Sequence, residues 1–213
     1  MTCRSSIQAP SGYFFQRVQQ MEFFDVIVVG GGHAGCEAAL ASARMGAKTL
    51  MVTISMDKVG TMSCNPAIGG TAKGHLVKEI DALGGEMGRA IDKTGIQYRI
   101  LNRKKGPAIW SSRAQADMDL YRRYMKHKLE NTPNLHLRQD MVEGLLIEKG
   151  VNGERDLIYG VEGKLFGKIR GGKVIITTGT FLNGLIHVGS EKISAGRAGD
   201  EPSIGLADFI KNY

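Results

Sequence analysis

The first clear pattern is a strand-sized apolar run, Asp25-Val26-Ile27-Val28-Val29, followed at once by Gly30-Gly31-Gly32 and then by an alanine-rich stretch over 33–46 that reads as a helix. A second run, Thr49-Leu50-Met51-Val52, completes a βαβ unit. From 54 to 72 the pattern dissolves into a Gly/Pro/Ser loop, and helices are predicted near 74–83 and 85–92, ahead of a linker at Lys104-Lys105-Gly106-Pro107. Ala114, Met118, Tyr121, Met125 and Leu129 recur at steps of four, three, four and four, which predicts one helix over 113–130. After Pro133 the period shortens to strands at 135–137, 142–147, 157–161, 165–169 and 174–177, broken by glycines. These form a βββ excursion that returns to a buried strand. A glycine-rich stretch, 194–200, precedes a last helix beginning at Pro202-Ser203, and no internal repeat is evident.

Composition narrows this picture. Glycine supplies 29 of 213 residues, about twice its usual share of about 7%. The glycines cluster in pairs and triplets, as tight turns and close backbone approaches require. No apolar run reaches the ~18 residues of a membrane-spanning helix. Cys3, Cys36 and Cys64 form no CxxC pair, so neither a disulfide framework nor a zinc site is expected, and a reducing compartment suits them. The net charge of +7 is concentrated: residues 89–128, an insertion-like segment, carry eleven basic against three acidic side chains. Such an excess attracts polyanions, and a solvated helical face is the bland alternative. Residues 1–22 read as a leader, with Arg4 and Arg17 and no acid before Glu22, and 23–213 as one domain.

Gly30-x-Gly32-x-x-Gly35 lies directly after a strand and opens a helix, the context a dinucleotide fingerprint requires. The acid expected about 20 residues on is replaced by Thr53-Ile54-Ser55, which makes a generic NAD site less comfortable. A second signal, Val174-Ile175-Ile176-Thr177-Thr178-Gly179, is similar to the apolar-strand-plus-ATG motif of two-dinucleotide-binding flavoproteins and favours FAD. Cys36, within an alanine-rich helix, reads as a packing residue. Cys64, in Ser63-Cys64-Asn65-Pro66, is either a thiol presented for catalysis or substrate binding or an inert buried cysteine.

Gly30 to Ala39, Ser63-Cys64-Asn65-Pro66, the run from Lys73 to Gly85, Lys105-Gly106-Pro107-Ala108, Arg113 to Asp117, Thr178-Gly179-Thr180-Phe181-Leu182 and Gly196-Arg197-Ala198-Gly199-Asp200 together resemble the MnmG (GidA) family of FAD-dependent tRNA wobble-uridine modification enzymes. The resemblance runs from about Phe24 to the end of a chain much shorter than family members. It implies an α/β, Rossmann-like FAD-binding domain of the two-dinucleotide-binding, glutathione reductase-like type. It implies FAD held by Gly30, Gly31, Gly32, His33, Ala34, Gly35, Val142, Thr178, Gly179 and Ser194, with NADH and methylenetetrahydrofolate as co-substrates.

The same resemblance implies tRNA and the GTPase MnmE as partners, and a homodimer. Carbon 5 of uracil is a poor nucleophile, and thiolate addition at carbon 6 would activate it, the role the resemblance suggests for Cys64. Arg103, Lys104, Lys105 and Arg113 are the candidate tRNA contacts, and Trp110 either stacks on a ring or lies in the core. The cytoplasm is the expected compartment, with the mitochondrion as alternative if residues 1–20 are a transit peptide. A generic FAD/NAD oxidoreductase, a flavin disulfide reductase, a folate-dependent tRNA-methylating flavoprotein and a non-catalytic binding fragment are the competing readings. The reductase would want a CxxC or CxxxxC near the flavin, and the methylating protein does not account for Ser63-Cys64-Asn65-Pro66.

Overall fold

A computed structural model describes residues 22–63, 65–152 and 154–213. The expected leader therefore lies outside the described residues except for Glu22, which pairs with Lys48 (3.0 Å). The main sheet has six strands in the order β6-β2-β1-β9-β8-β7: β1 (Phe23–Val29), β2 (Thr49–Thr53), β6 (Leu135–Gln139), β7 (Val142–Glu148), β8 (Leu157–Gly163) and β9 (Gly167–Ile176). The first four in that order are parallel, and β8 and β7 continue the sheet antiparallel. Between β1 and β2 runs α1 (His33–Arg44), whose buried face, Cys36, Ala39, Leu40 and Ala43, packs on the sheet. The expected Rossmann-like α/β fold with its antiparallel excursion is what the chain adopts.

One expected break is absent. Gly171-Gly172 lies inside β9, a single ten-residue strand that pairs antiparallel with β8 at one end and parallel with β1 over Arg170–Ile176. A Cβ on Gly171 would come within 2.6 Å of Ile27 Cδ1, so this glycine lets β1 and β9 pack closely and makes no turn.

A second sheet of order β3-β5-β4 is built from β3 (Ala67–Gly69), β4 (Gly95–Leu101) and β5 (Ser111–Ala116). It stands where a loop, a linker and the start of a helix are expected. The helix α4 spans Met118–Glu130 and not 113–130, because the Asp117 carboxylate accepts the Asp119 and Leu120 amides at 3.0 Å each and caps it there. Ala114 and Ala116 are buried by strand alternation, and Met118 is exposed; Tyr121, Met125 and Leu129 alone form the buried face. The helices α2 (Lys73–Ala82) and α3 (Met87–Thr94) fall close to expectation. Glu37 accepts the Glu86 and Met87 amides, tying α1 to the start of α3. An exposed hairpin, β10 (Leu185–Val188) with β11 (Glu191–Ser194), and α5 (Ile204–Asn212) complete the chain.

The core is divided by the main sheet. On one side Val28 and Met51 meet α1, α3, α4 and the small sheet; on the other Phe24, Ile27, Leu50 and Val161 meet Leu206 of α5. Among the described residues no helix is long and apolar enough to cross a membrane.

Candidate functional site

A cleft of about 300 Å³ opens where β1, β2 and β9 end, between the glycine turn and the segments 54–63, 140–142 and 177–181. Parallel sheets place ligands at this edge, because the turns at the carboxyl ends of the strands leave a crevice there. Gly30 has φ +111°, and a Cβ there would overlap the Thr177 carbonyl oxygen; no other residue takes this turn without strain. A Cβ on Gly35 would overlap the Gly30 carbonyl oxygen and lie 2.8 Å from Thr177 Oγ1, so Gly35 sets how closely α1 approaches β1 and β9. Gly32, by contrast, is exposed and lines the cleft, and no atom of the described residues lies within 4 Å of the place its Cβ would take. It leaves space for something else.

The N-terminus of α1 is built for an anion. Its cap, Gly32, brings no side chain to the first amides, and no acid stands in the first turn. The first helical hydrogen bond runs from Cys36 N to Gly32 O (2.9 Å), leaving the preceding amides to an external acceptor. His33 lines the cleft with its ring edge-on to Tyr121 (centroids 5.8 Å apart), and its buried Nδ1 has no hydrogen-bond partner among the described residues. Burial, with Lys73 nearby, pushes His33 down to about 4, so it stays a neutral imidazole at neutral pH. Burial beside Glu37 raises Cys36 to about 12, and the thiol is a packing group.

Thr178, Gly179 and Val142 line the cleft with Gly30, Gly31, Gly32 and His33. Ala34 is exposed and Gly35 buried, both outside the lining, and Ser194 ends the exposed hairpin and does not reach it. Where an acid is missing at the end of β2, Thr53 and Ser55 line the wall and offer hydroxyls.

Four charged residues complete the rim. Asp140 is buried and accepts the amides of Met141 (2.7 Å), Leu165 (2.9 Å) and Phe166 (3.1 Å), fixing the turn before Val142. Asp200 accepts from Lys58 and from Arg197 Nε (2.7 Å), while Arg197 Nη1 donates to Ser63 Oγ (3.1 Å). Burial opposes ionisation of Asp200, but these hydrogen bonds outweigh it and hold the carboxyl below its usual range. The stretch 196–200 is thereby strapped to the loop 58–63 across the cleft mouth. Arg197 and Asp200 belong to the Gly196-Arg197-Ala198-Gly199-Asp200 motif, whereas Lys58 and Asp140 carry no local signal. Cys64 lies outside the described residues; its neighbour Ser63 lines the cleft.

The basic segment separates into two parts. On α4, Arg122 donates to the Asp57 carbonyl (2.6 Å) and pairs with Asp119, and Lys126 pairs with Asp57 (2.8 Å), so half of its cations are engaged. Arg103, Lys104 and Lys105 occupy an exposed 3-10 turn, and Arg113 lies on β5. Arg103 and Arg113 share a second groove, which Lys104 and Lys105 do not line. Trp110 is 47% exposed after the 3-10 turn at Pro107–Ile109, which removes the core alternative.

Residues 25–213 match the family described as glucose inhibited division protein A. The chain is 60% identical over 188 residues to the tRNA uridine 5-carboxymethylaminomethyl modification enzyme MnmG of Geobacter metallireducens, covering 88% of this chain and 29% of that protein. It is 63% identical over 189 residues to the enzyme of the same name from Nitratiruptor, covering 89% and 29%. Against the crystal structure of Aquifex aeolicus GidA the TM-score is 0.83 at 52% identity, over 91% of this chain and 31% of that one. The chain thus spans about three tenths of the length of these relatives.

Proposed function

The chain belongs to the glucose inhibited division protein A family, and on that premise we propose that it is the FAD-binding part of an enzyme that modifies carbon 5 of the wobble uridine in tRNA. The observation that carries the proposal is the cradle at 30–35: a turn at positive φ that requires glycine, a steric glycine beneath α1 and uncapped helix amides facing an open cleft. A dinucleotide's pyrophosphate satisfies all three. Gly30, Gly31, Gly32 and His33 would hold it, with Thr178 and Gly179 beside them and Val142 towards the adenine. The Thr53 and Ser55 hydroxyls would take the ribose. Ala34 contributes through its backbone, and Ser194 is assigned by resemblance alone. FAD supplies redox chemistry when bound.

For the uridine, we assign Cys64 as the thiolate that adds to carbon 6: its electron pair forms the bond from sulfur to carbon 6, the π bond between carbons 5 and 6 breaks, and the displaced pair is held as an enolate over carbon 5 and the carbonyl oxygen on carbon 4, leaving carbon 5 nucleophilic. What supports this is the placement of Ser63, its chain neighbour, at the cleft mouth under Arg197. Methylenetetrahydrofolate as one-carbon donor, NADH as reductant, the GTPase MnmE as partner, a homodimer and a cytoplasmic location complete the proposal. Disruption of the gene is expected to abolish the carbon 5 substituent, read by mass spectrometry of tRNA nucleosides. Unchanged wobble nucleosides would refute the assignment.

A further inference from the structure

The groove shared by Arg103 and Arg113 has a volume of about 960 Å³. Its floor is one face of the β3-β5-β4 sheet and its walls are α2 and α3, so Ile68, Ala114, Val77 and Ile91 give it an apolar bed. Four cations, Lys78, Arg99, Arg103 and Arg113, line it against two carboxylates, Asp81 and Asp92. Among the described residues none of the four makes an ion pair or a side-chain hydrogen bond, in contrast to the engaged Arg122 and Lys126 of the same basic segment. Cations held over an apolar bed with carboxylates at hand, yet unpaired, suit a polyanion that brings its own charges.

Tyr98 adds the second element. Its side chain lines the groove while the residue remains 58% exposed, and its hydroxyl donates to the Ile91 carbonyl (3.3 Å), which fixes the ring at one edge. A fixed, exposed aromatic ring beside unpaired arginines is a platform for one unstacked base, with phosphates on the guanidinium groups. Along the chain the groove follows closely on the cleft: Thr61 and Ser63 line the cleft, and Ile68 and Gly69 line the groove.

We propose that this groove, with Tyr98 as stacking platform and Arg99, Arg103, Arg113 and Lys78 as phosphate contacts, binds a single-stranded stretch of RNA. This rests on the functional reading above and locates the RNA on the chain. The site takes single strands because a duplex keeps its bases stacked away from a protein ring.

The test is fluorescence anisotropy of the full chain with a fluorescein-labelled oligouridine of eight nucleotides and with the same strand annealed to its complement, alongside an FAD titration of every variant. The single strand is expected to bind more tightly, with a log–log salt slope of about −2 to −3 for three to four phosphates. Arg99→Gln with Arg113→Gln should reduce that slope by about 1.4. Tyr98→Ala should weaken binding by about fivefold or more, and Tyr98→Phe by no more than about twofold. Arg123→Gln, exposed on α4, should leave binding unchanged. Equal affinity for the duplex, no effect of the groove variants, or an equal effect of Arg123→Gln would overturn the proposal. So would a groove-dependent change in oligomeric mass without RNA binding, which would identify a second copy as the occupant. RNA binding through the groove without FAD binding would instead overturn the functional reading and leave the groove standing.

Discussion

Gly35→Ala and Gly32→Ala should separate the two uses of glycine in the cradle. At Gly35 the new methyl overlaps the Gly30 carbonyl oxygen and meets Thr177 Oγ1 at 2.8 Å, and both neighbours belong to backbone turns that are themselves held. Thr177 N donates to Val29 O (2.8 Å) and Gly30 N to Val52 O (2.8 Å). α1 must therefore retreat by on the order of 1 Å, which forfeits a quarter to a half of the contact energy on its buried face. That face carries Cys36, Ala39 and Leu40, all fully buried. The expected loss is about 2–3 kcal/mol, within the usual range for overpacking, or about 5–10 °C in Tm for a chain of this size. At Gly32 no atom of the described residues lies within 4 Å of an added Cβ and φ is −75°, so alanine should change stability by less than about 0.5 kcal/mol. Its methyl nevertheless occupies the cleft, and FAD affinity should fall about tenfold or more, a loss of at least about 1.4 kcal/mol. Urea denaturation and flavin fluorescence titration read the two quantities separately. A Gly35→Ala protein as stable as the parent would contradict the steric role of Gly35, and a Gly32→Ala protein that binds FAD normally would contradict the placing of the cofactor at Gly32.

Three further outcomes follow from buried groups. His33 holds a proton only below about 4 in the folded chain, whereas a free imidazole titrates near 6.5. The unfolded chain thus takes up the proton first, and stability should be full above pH 6.5 and decline towards pH 4 by up to about 1.4 kcal/mol per pH unit, a slope that His33→Asn lessens in urea midpoints measured across that range. Cys36, pushed up to about 12, should stay unmodified by iodoacetamide in native protein at pH 7.5 and react only after unfolding, as peptide mapping would show; native labelling contradicts its packing role. Glu86 is fully buried and accepts from Arg44 and from the Tyr124 hydroxyl (2.7 Å), so Glu86→Ala should cost about 2–4 kcal/mol in urea unfolding, and a loss under about 1 kcal/mol would contradict that hub.

The cradle was legible because its chemistry is local: strand, glycine turn and helix follow one another within some twenty residues, and the spacing of Gly30, Gly32 and Gly35 carries the geometry. The small sheet was not. β4 is an edge strand whose residues are nearly all exposed, so no alternation marks it. On β5, Ala114 and Ala116 alternate for two turns of the pleat only, and the four-residue step from Ala114 to Met118 imitates a helix until the Asp117 cap is seen. Gly171-Gly172 imitates a turn because a glycine needed for close strand packing looks the same in sequence as one needed for a positive φ. Lys58, Asp140 and the groove at Tyr98 depend on segments far apart in the chain, and only the assembled fold brings them together.

In the function proposed above, the cleft at the ends of β1, β2 and β9 holds FAD. The most direct measurement is the flavin content of the purified chain after incubation with FAD and removal of the excess, by absorbance and by chromatography of the released cofactor. One FAD per chain is expected, lost in Gly32→Ala. A chain that folds but retains no flavin, or that retains FAD equally with Gly32→Ala, would contradict it.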